Sequence, residues 1–384
     1  MLQPIVHVLG ARPNFVKAAP VISALSDAEQ TVIHTGQHYD ERMSEIFFRE
    51  LGLPEPDVNL EVGSGSHAAQ TAAIMIGLEP EFMKRSPGLV IVYGDVNSTI
   101  AAALVAAKMG TPVAHVEAGL RSFDMTMPEE VNRRLTDQLS SLCFVTSPEA
   151  IGHLANEGVP VDRVHFVGNP MIDTLLKNLD TFDSERVRAA YELPDRYVLA
   201  TLHRPANVDS PRIAGELVRR LHEIADLADL IIPLHPRGRP VLMAAGLDDH
   251  PRLRVLDPLG YIDFIAAVRG AAAIVTDSGG IQEETTILGV PCLTVRPNTE
   301  RPITITHGTN RLVTLGELVP AARKALANDV AGANGASGTP GTPGTSRANG
   351  TRSTHRVPGR STPPLWDGQA GPRIADVVMR YLGG

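Results

Sequence analysis

Cysteine is almost absent from this 384-residue chain: Cys143 and Cys292 are the only two. That excludes a disulfide framework and a cysteine-rich metal site. Aromatic residues make up only 4%, with a single tryptophan. No apolar run approaches the roughly 20 residues needed to cross a bilayer. The opening Met1-Leu2-Gln3-Pro4-Ile5 lacks the basic region and cleavage site of a secretory signal. Together these absences predict a cytoplasmic protein with no membrane partner. Lysine is scarce as well, five among 35 basic residues. The net charge of −8 argues against general nucleic-acid binding and leaves room for local basic pockets.

What is present is an ordinary soluble composition, 43% hydrophobic, in a chain too long for one core. Apolar runs that read as strands alternate with helical spacing. Ile5–Leu9, Thr31–Thr35, Leu89–Tyr93, Pro112–Val116 and Leu142–Thr146 are strands, with helices between them. After Gly168-Asn169-Pro170 the pattern restarts with strands Tyr197–Thr201, Leu230–Leu234 and Ala272–Thr276. Such alternation predicts parallel sheets covered on both faces, an α/β class of two doubly wound Rossmann-like domains. We place the domains at residues 1–170 and 171–328. Residues 329–364 are dominated by Gly, Thr, Ser, Pro, Ala and Asn, and read as a disordered low-complexity linker. A short amphipathic helix at 372–382 follows and must dock somewhere. Ligands of such sheets sit beyond the carboxyl ends of the strands. With two domains, the cleft between them is the expected site.

The polar residues cluster at those strand ends. Thr276-Asp277-Ser278-Gly279-Gly280-Ile281-Gln282-Glu283-Glu284 follows an apolar run and opens an amphipathic helix. Free N–H groups and the helix dipole there favour a phosphate, and the glutamates one turn on can reach a sugar hydroxyl. The same residues also fit a glycine-rich turn with a solvated acidic face. Gly10-Ala11-Arg12-Pro13-Asn14-Phe15-Val16-Lys17 is neither a Walker loop nor a dinucleotide fingerprint. It sets Arg12 and Lys17 at the start of the first helix, where two cations can neutralise a diphosphate or simply face solvent. Carboxylates end or follow three more segments: Asp95, Glu117 and Glu129. Crowded acids suit proton transfer, although Asp95 is equally placed to cap a helix and Glu129 to face a helix dipole. In the second domain, His203-Arg204 and His235-Pro236-Arg237 stand at adjacent strand ends.

Taken together, Gly-Ala-Arg-Pro-x-x-x-Lys at 10–17, Gly94-Asp95, His115-Val116-Glu117-Ala118-Gly119-Leu120-Arg121, Pro128-Glu129-Glu130-Val131-Asn132-Arg133, His203-Arg204, Asp277 to Glu284 and Thr299-Glu300-Arg301-Pro302 occur in order. The chain thereby resembles the non-hydrolysing UDP-N-acetylglucosamine 2-epimerases, from residue 4 to about 314, with an echo at Trp366-Asp367-Gly368-Gln369. The resemblance implies a glycosyltransferase-B type fold whose final helix crosses back to the first domain. It implies reversible conversion of UDP-GlcNAc to UDP-ManNAc, by anti elimination of UDP to a 2-acetamidoglucal and re-addition. No redox cofactor or metal is implied, and relatives of this kind suggest a homodimer. By resemblance Arg12, Lys17 and His203 face the leaving diphosphate, and the C2 base comes from Asp95, Glu117 and Glu129. Ser278, Gly279 and Gly280 hold phosphate, Glu284 the ribose, and Arg133, Arg204, His235 and Arg301 complete the set.

The match is not uniform. Phe15 departs from the family pattern as a packing residue, and Tyr93 and Val96-Asn97-Ser98 depart from it around the sugar pocket. Gln37-His38-Tyr39 survives from a second, regulatory UDP-GlcNAc site, but its partner segment is replaced by Gly63-Ser64-Gly65-Ser66-His67. Allosteric activation is therefore not expected. Two other activities share parts of the pattern: a relative that hydrolyses UDP-GlcNAc to ManNAc and UDP, and a glycosyltransferase of the same fold. The transferase needs the Ser-Gly-Gly turn and ribose glutamate but not the three carboxylates.

Overall fold

The computed structural model describes residues 3–37, 48–234, 238–334 and 362–383, the side chains of 329–334 excepted. The chain forms two compact units, one of Met1–Leu179 with Pro363–Gly384, the other of Asp180–Thr362.

The first unit is built on strands β1 (Ile5–Leu9), β2 (Gln30–His34), β3 (Val58–Asn59), β4 (Leu89–Tyr93), β5 (Val113–Ala118), β6 (Leu142–Val145) and β7 (Val164–Phe166). They form one parallel sheet in the order β3-β2-β1-β4-β5-β6-β7. β1, β4, β5 and β6 are buried at every residue. Helices on both faces leave no solvated side, so these strands carry unbroken runs rather than alternating ones. The chain winds outward from β1 to β3, returns beside β1 as β4, and winds the other way. That reversal leaves a crevice beyond the carboxyl ends of β1 and β4.

The second unit repeats the plan with β8 (Tyr197–Thr201), β9 (Asp229–Pro233), β10 (Leu253–Leu256), β11 (Ala273–Thr276), β12 (Cys292–Val295) and β13 (Asn310–Val313). Its parallel order is β10-β9-β8-β11-β12-β13, with the reversal between β8 and β11. Among the described residues, no helix is long and apolar enough to cross a membrane.

Helix Leu315–Asn334 runs past residue 328, where the sequence reading ended the second domain. The rest of the expected linker, 335–361, lies outside the described residues. Helix Ala370–Gly383 belongs to the first unit and packs on helices Arg12–Ala24 and Pro170–Lys177. Its buried side is Ile374, Ala375 and Val378, whereas Tyr381 is exposed. Gly371 is needed for this approach, since a side chain there would meet the Pro20 backbone at 2.6 Å. Asp173 accepts the Gly371 N–H at 2.7 Å and so satisfies part of the helix start. Just before it, Trp366 is 2% exposed and donates its indole N–H to the Thr146 carbonyl at 2.9 Å. The one tryptophan thus anchors the returning segment.

Trp366→Ala should lower unfolding free energy by about 3–5 kcal/mol, the usual cost of emptying an aromatic site. Urea denaturation checks this, and a midpoint equal to wild type would show that the segment is not anchored by Trp366.

Candidate active site

In the first unit the switch point is held by Asn14, a buried residue that sequence reading passed over. Its Oδ1 accepts the Gly10 and Ala11 N–H groups at 3.0 Å each, and its Nδ2 donates to the Tyr93 carbonyl at 2.8 Å. One side chain therefore ties the turn after β1 to the end of β4. Gly10 has no room for a side chain, because Ser98 occupies that space. Gln37 backs the same wall, its Oε1 accepting the Ser98 amide at 3.1 Å and hydroxyl at 2.7 Å. His38 and Tyr39 lie outside the described residues.

Arg12 opens the first helix and is half-buried; Lys17, one turn on, is 5% exposed and pairs with Glu117. Glu117 has φ +76°, rare for a residue with a side chain, and sits at a register shift between Val116 and Ala118. Such a bulge re-aims a side chain at the cost of local strain. Here it brings the carboxylate onto Lys17. Gly94, after β4, has φ +65° and lies so close that a side-chain carbon would stand 3.1 Å from Lys17 Nζ and 3.2 Å from Glu117 Oε2. The sequence reading placed Glu117 after its strand; it is in fact the bulged residue within it.

Asp95 does not cap the following helix. The N-cap of Asn97–Lys108 is Val96, and the Asp95 carboxylate instead meets Arg133 at 2.5 Å. Arg133 is buried and also binds Glu130. Glu129 is half-buried in the first turn of helix Pro128–Leu139. Glu130, which sequence reading left out, is 1% exposed and accepts the Ser122 amide at 2.9 Å and the Phe123 amide at 3.1 Å. Burial opposes its charge, but those amides and Arg133 outweigh that and hold its carboxyl below the usual range. Two ion-paired sets are thus formed by residues at or after the ends of β4 and β5: Lys17 with Glu117, and Arg133 with Asp95 and Glu130. The nearby Pro-Glu-Glu spacing was the available signal for Glu130.

The second unit has a counterpart of Asn14 in Asp277, which is fully buried. Its carboxylate accepts the His203 amide at 3.1 Å, the Arg204 amide at 2.9 Å and Asn207 Nδ2 at 3.0 Å. His203 Nδ1 lies 3.2 Å away, and Arg204 Nε donates to the Asp277 carbonyl at 3.0 Å. The turn after β11 is thereby locked to the turn after β8. Ser278 then begins helix Gly279–Leu288 without spending its hydroxyl on a capping bond. Gly279 leaves space that the Arg301 guanidinium and Glu300 fill, and Gly280 follows half-buried. Arg301 pairs with Glu283 at 3.0 Å and with Glu300, which also meets Arg296 at 2.7 Å. Burial opposes ionisation of Glu300, yet these cations hold it well below the carboxylate range. Glu284 is different: burial, then the neighbouring Glu283, pushes its carboxyl up to about 8, against a hydrogen bond from Tyr261. His235 lies outside the described residues. Among the described residues no three His, Cys, Asp or Glu side chains stand close enough to hold a metal ion.

Two Rossmann-like units, each with its polar residues at the switch point, narrow the field of comparison. Residues 21–379 match the family model described as UDP-N-acetylglucosamine 2-epimerase. The chain belongs to the UDP-N-acetylglucosamine 2-epimerase family. It is 44% identical over 318 residues to the UDP-N-acetylglucosamine 2-epimerase of Methanocaldococcus jannaschii, covering 80% of this chain and 87% of that one. It is 41% identical over 336 residues to the UDP-2,3-diacetamido-2,3-dideoxy-D-glucuronate 2-epimerase of Pseudomonas aeruginosa, covering 85% and 93%. The Methanocaldococcus jannaschii UDP-GlcNAc 2-epimerase, solved with UDP-GlcNAc and UDP, superposes with a TM-score of 0.85, 38% identity and coverage of 98% and 100%. The Neisseria meningitidis UDP-GlcNAc 2-epimerase bound to UDP-GlcNAc gives 0.78 at 29% identity, covering 85% and 94%. The expected glycosyltransferase-B type pair of parallel-sheet domains is the fold of this epimerase family member.

Glu284 supplies a pH signature. A carboxyl that titrates near 8 when folded and near 4.5 when unfolded holds a proton in the folded state that the unfolded chain releases. Its contribution to stability is whole below about pH 4.5 and is lost as pH rises through about 8. Relative to Glu284→Gln, wild type should therefore lose on the order of a few kcal/mol between pH 5 and pH 8. Melting curves across that range check it; parallel curves for the two proteins would contradict it.

Proposed function

We propose that this chain interconverts UDP-N-acetylglucosamine and UDP-N-acetylmannosamine by anti elimination of UDP and re-addition, without releasing the free sugar. The observation that carries the reading is the carboxylate set at the first switch point. Asp95 and Glu117 follow or end adjacent strands, and the buried Lys17 lies against Glu117. Inverting C2 requires a group that takes its proton and a group that returns one on the other face. Asp95, Glu117 and Glu129 are the groups available. The C2 hydrogen is only weakly acidic, so departure of the C1 oxygen must lead, and cations must stabilise the diphosphate as it leaves. Lys17, Arg12 and His203 take that role in this reading, and Arg204 and His235 are read as adding to it. Arg133 already holds Asp95, and Arg301 holds Glu283 and Glu300; in this reading they fix those acids while adding positive potential.

Ser278, Gly279 and Gly280 are read as the phosphate site, because the amides and dipole of a helix start attract an anion. Glu284, a turn further on, is read as the ribose partner. The substrates in the names of the two curated relatives share UDP and a 2-acetamido sugar. We take UDP-GlcNAc as the substrate here. We also place the enzyme in the cytoplasm as a homodimer, which light scattering tests: a monomer at working concentration removes that part.

Product balance tests the function. Incubated with UDP-GlcNAc, the protein should give a mixture of two nucleotide sugars whose sum stays constant, as read by anion-exchange chromatography. Equal release of ManNAc and UDP would establish hydrolysis instead, and loss of sugar to an added acceptor would establish a transferase. The UDP-diacetamido-glucuronate run in parallel should turn over more slowly than UDP-GlcNAc; the reverse order reassigns the substrate.

Lys17→Ala should lower kcat by roughly 10²-fold, since it removes a charge whose value grows as UDP departs. A melting curve accompanies it, because the change leaves Glu117 buried without its cation. Folded protein with wild-type kcat would remove Lys17 from the mechanism.

A further inference from the structure

Beneath the carboxylates lies a second polar layer that touches neither solvent nor, in the reading above, substrate. His115 on β5 is fully buried and Asp137 on helix Pro128–Leu139 is 1% exposed. Asp137 Oδ1 lies 2.6 Å from His115 Nδ1. His115 Nε2 lies 2.8 Å from the Gly94 carbonyl, and since a carbonyl only accepts, Nε2 carries a proton and donates. Asp137 Oδ2 accepts the Gly119 N–H at 3.1 Å and Arg121 Nη2 at 2.7 Å. Arg121 also holds Glu157, at 2.6 Å and 3.0 Å. One carboxylate therefore reaches the backbone on both sides of the site. Through His115 it holds the residue before Asp95, and directly it holds the residue two after Glu117.

Both turns need holding. Gly94, Glu117 and Gly119 have φ of +65°, +76° and +76°. A residue with a side chain pays of order 1–3 kcal/mol in that region and stays there only when its surroundings over-determine it. Gly119 is also pressed against Ala150, whose carbonyl would lie 2.8 Å from any added side-chain carbon. Burial opposes the charge on Asp137, yet His115 and Arg121 outweigh it and keep its carboxyl below the usual range. A charged acceptor in a dry site makes stiff, short bonds. We infer that Asp137 and His115 form a positioning couple that fixes the Gly94-Asp95 turn and the Glu117-Ala118-Gly119 turn relative to one another, so that their two carboxylates address the same sugar carbon. This rests on the reading that Asp95 and Glu117 act on the substrate. Neither His115 nor Asp137 touches the reacting atoms; both act through backbone that carries those that do.

Two amide variants separate positioning from bulk stability. In His115→Gln the amide nitrogen falls near the Nε2 position and keeps the bond to Gly94. In His115→Asn it falls near Nδ1, keeps the bond to Asp137 and releases Gly94. Each loses one buried hydrogen bond, so both should melt below wild type by similar amounts. The expected split is in turnover. His115→Gln keeps kcat within about threefold of wild type. His115→Asn loses roughly tenfold or more in kcat, with KM and UDP affinity unchanged, because misplacing a reacting group costs rate rather than binding. Equal kcat in the two variants would overturn the inference. Asp95→Asn and Glu117→Gln are measured alongside. If they retain wild-type turnover, the reading beneath the inference fails and takes it down; if they are slow while His115→Asn matches His115→Gln, the positioning claim alone fails. A readout on the wild-type protein covers the case in which His115→Asn does not fold. With 15N-labelled histidine, the His115 Nε2 proton should exchange slowly with solvent, and exchange too fast to observe would overturn the tether to Gly94.

Discussion

A charge buried without a partner costs several kcal/mol, and this chain buries its charges in company. Lys17 pairs with Glu117, Arg133 with Asp95 and Glu130, Arg121 with Asp137 and Glu157, and Arg301 with Glu283 and Glu300. All of these stand at or just behind the carboxyl ends of the central strands. That location follows from the winding of the sheets. Where the strand order reverses, adjacent turns diverge and leave a crevice, and polar side chains there have no helix to cover them. The pairs let such groups sit in a dry environment without unfolding it. They also fix each acid and cation in one geometry, which is what proton transfer and leaving-group stabilisation require.

The two units solve the same problem with different residues. Asn14 ties the turn after β1 to the end of β4, and Asp277 ties the turn after β11 to that after β8. The Asn14 side chain satisfies backbone groups from two strand ends, and the Asp277 carboxylate, seated after β11, accepts two backbone N–H groups of the turn after β8. Loss of either would leave several buried donors unpaired at once. The consequence is that the turns at each switch point are preorganised, with little left to rearrange. Glu284 is the exception. Burial and the neighbouring Glu283 raise its carboxyl, where cations hold that of Glu300 down.

Much of this was legible in the chain. The strand ends carrying Arg12, Lys17, Asp95, Glu117, His203 and Ser278 were located by apolar runs alone, because fully covered parallel strands have no alternation to confuse the pattern. Short or half-covered strands were not: Leu253–Leu256 and Val164–Phe166 have partly exposed residues and no distinct run. The bulge at Glu117 was out of reach, since nothing in Val116-Glu117-Ala118 signals a positive φ. Asp95 looked like a helix cap, and only the fold brings Arg133 from a later helix to claim it. Asn14 and Asp137 were invisible as functional groups because each bonds a strand end that only the fold brings to it. Local motif spacing shows which residues can face a ligand, whereas the residues that hold them in place are set by topology.

The proposed elimination and re-addition across C1–C2 is tested most directly by the fate of the C2 hydrogen. With UDP-GlcNAc in deuterated water, proton NMR should show the C2 proton signal disappearing from both nucleotide sugars as equilibrium is reached. Deuterium enters because the proton returned to the glucal comes from a carboxyl in exchange with solvent. Conversion with the original C2 proton retained, or sugar release with no deuterium at C2, would contradict the account.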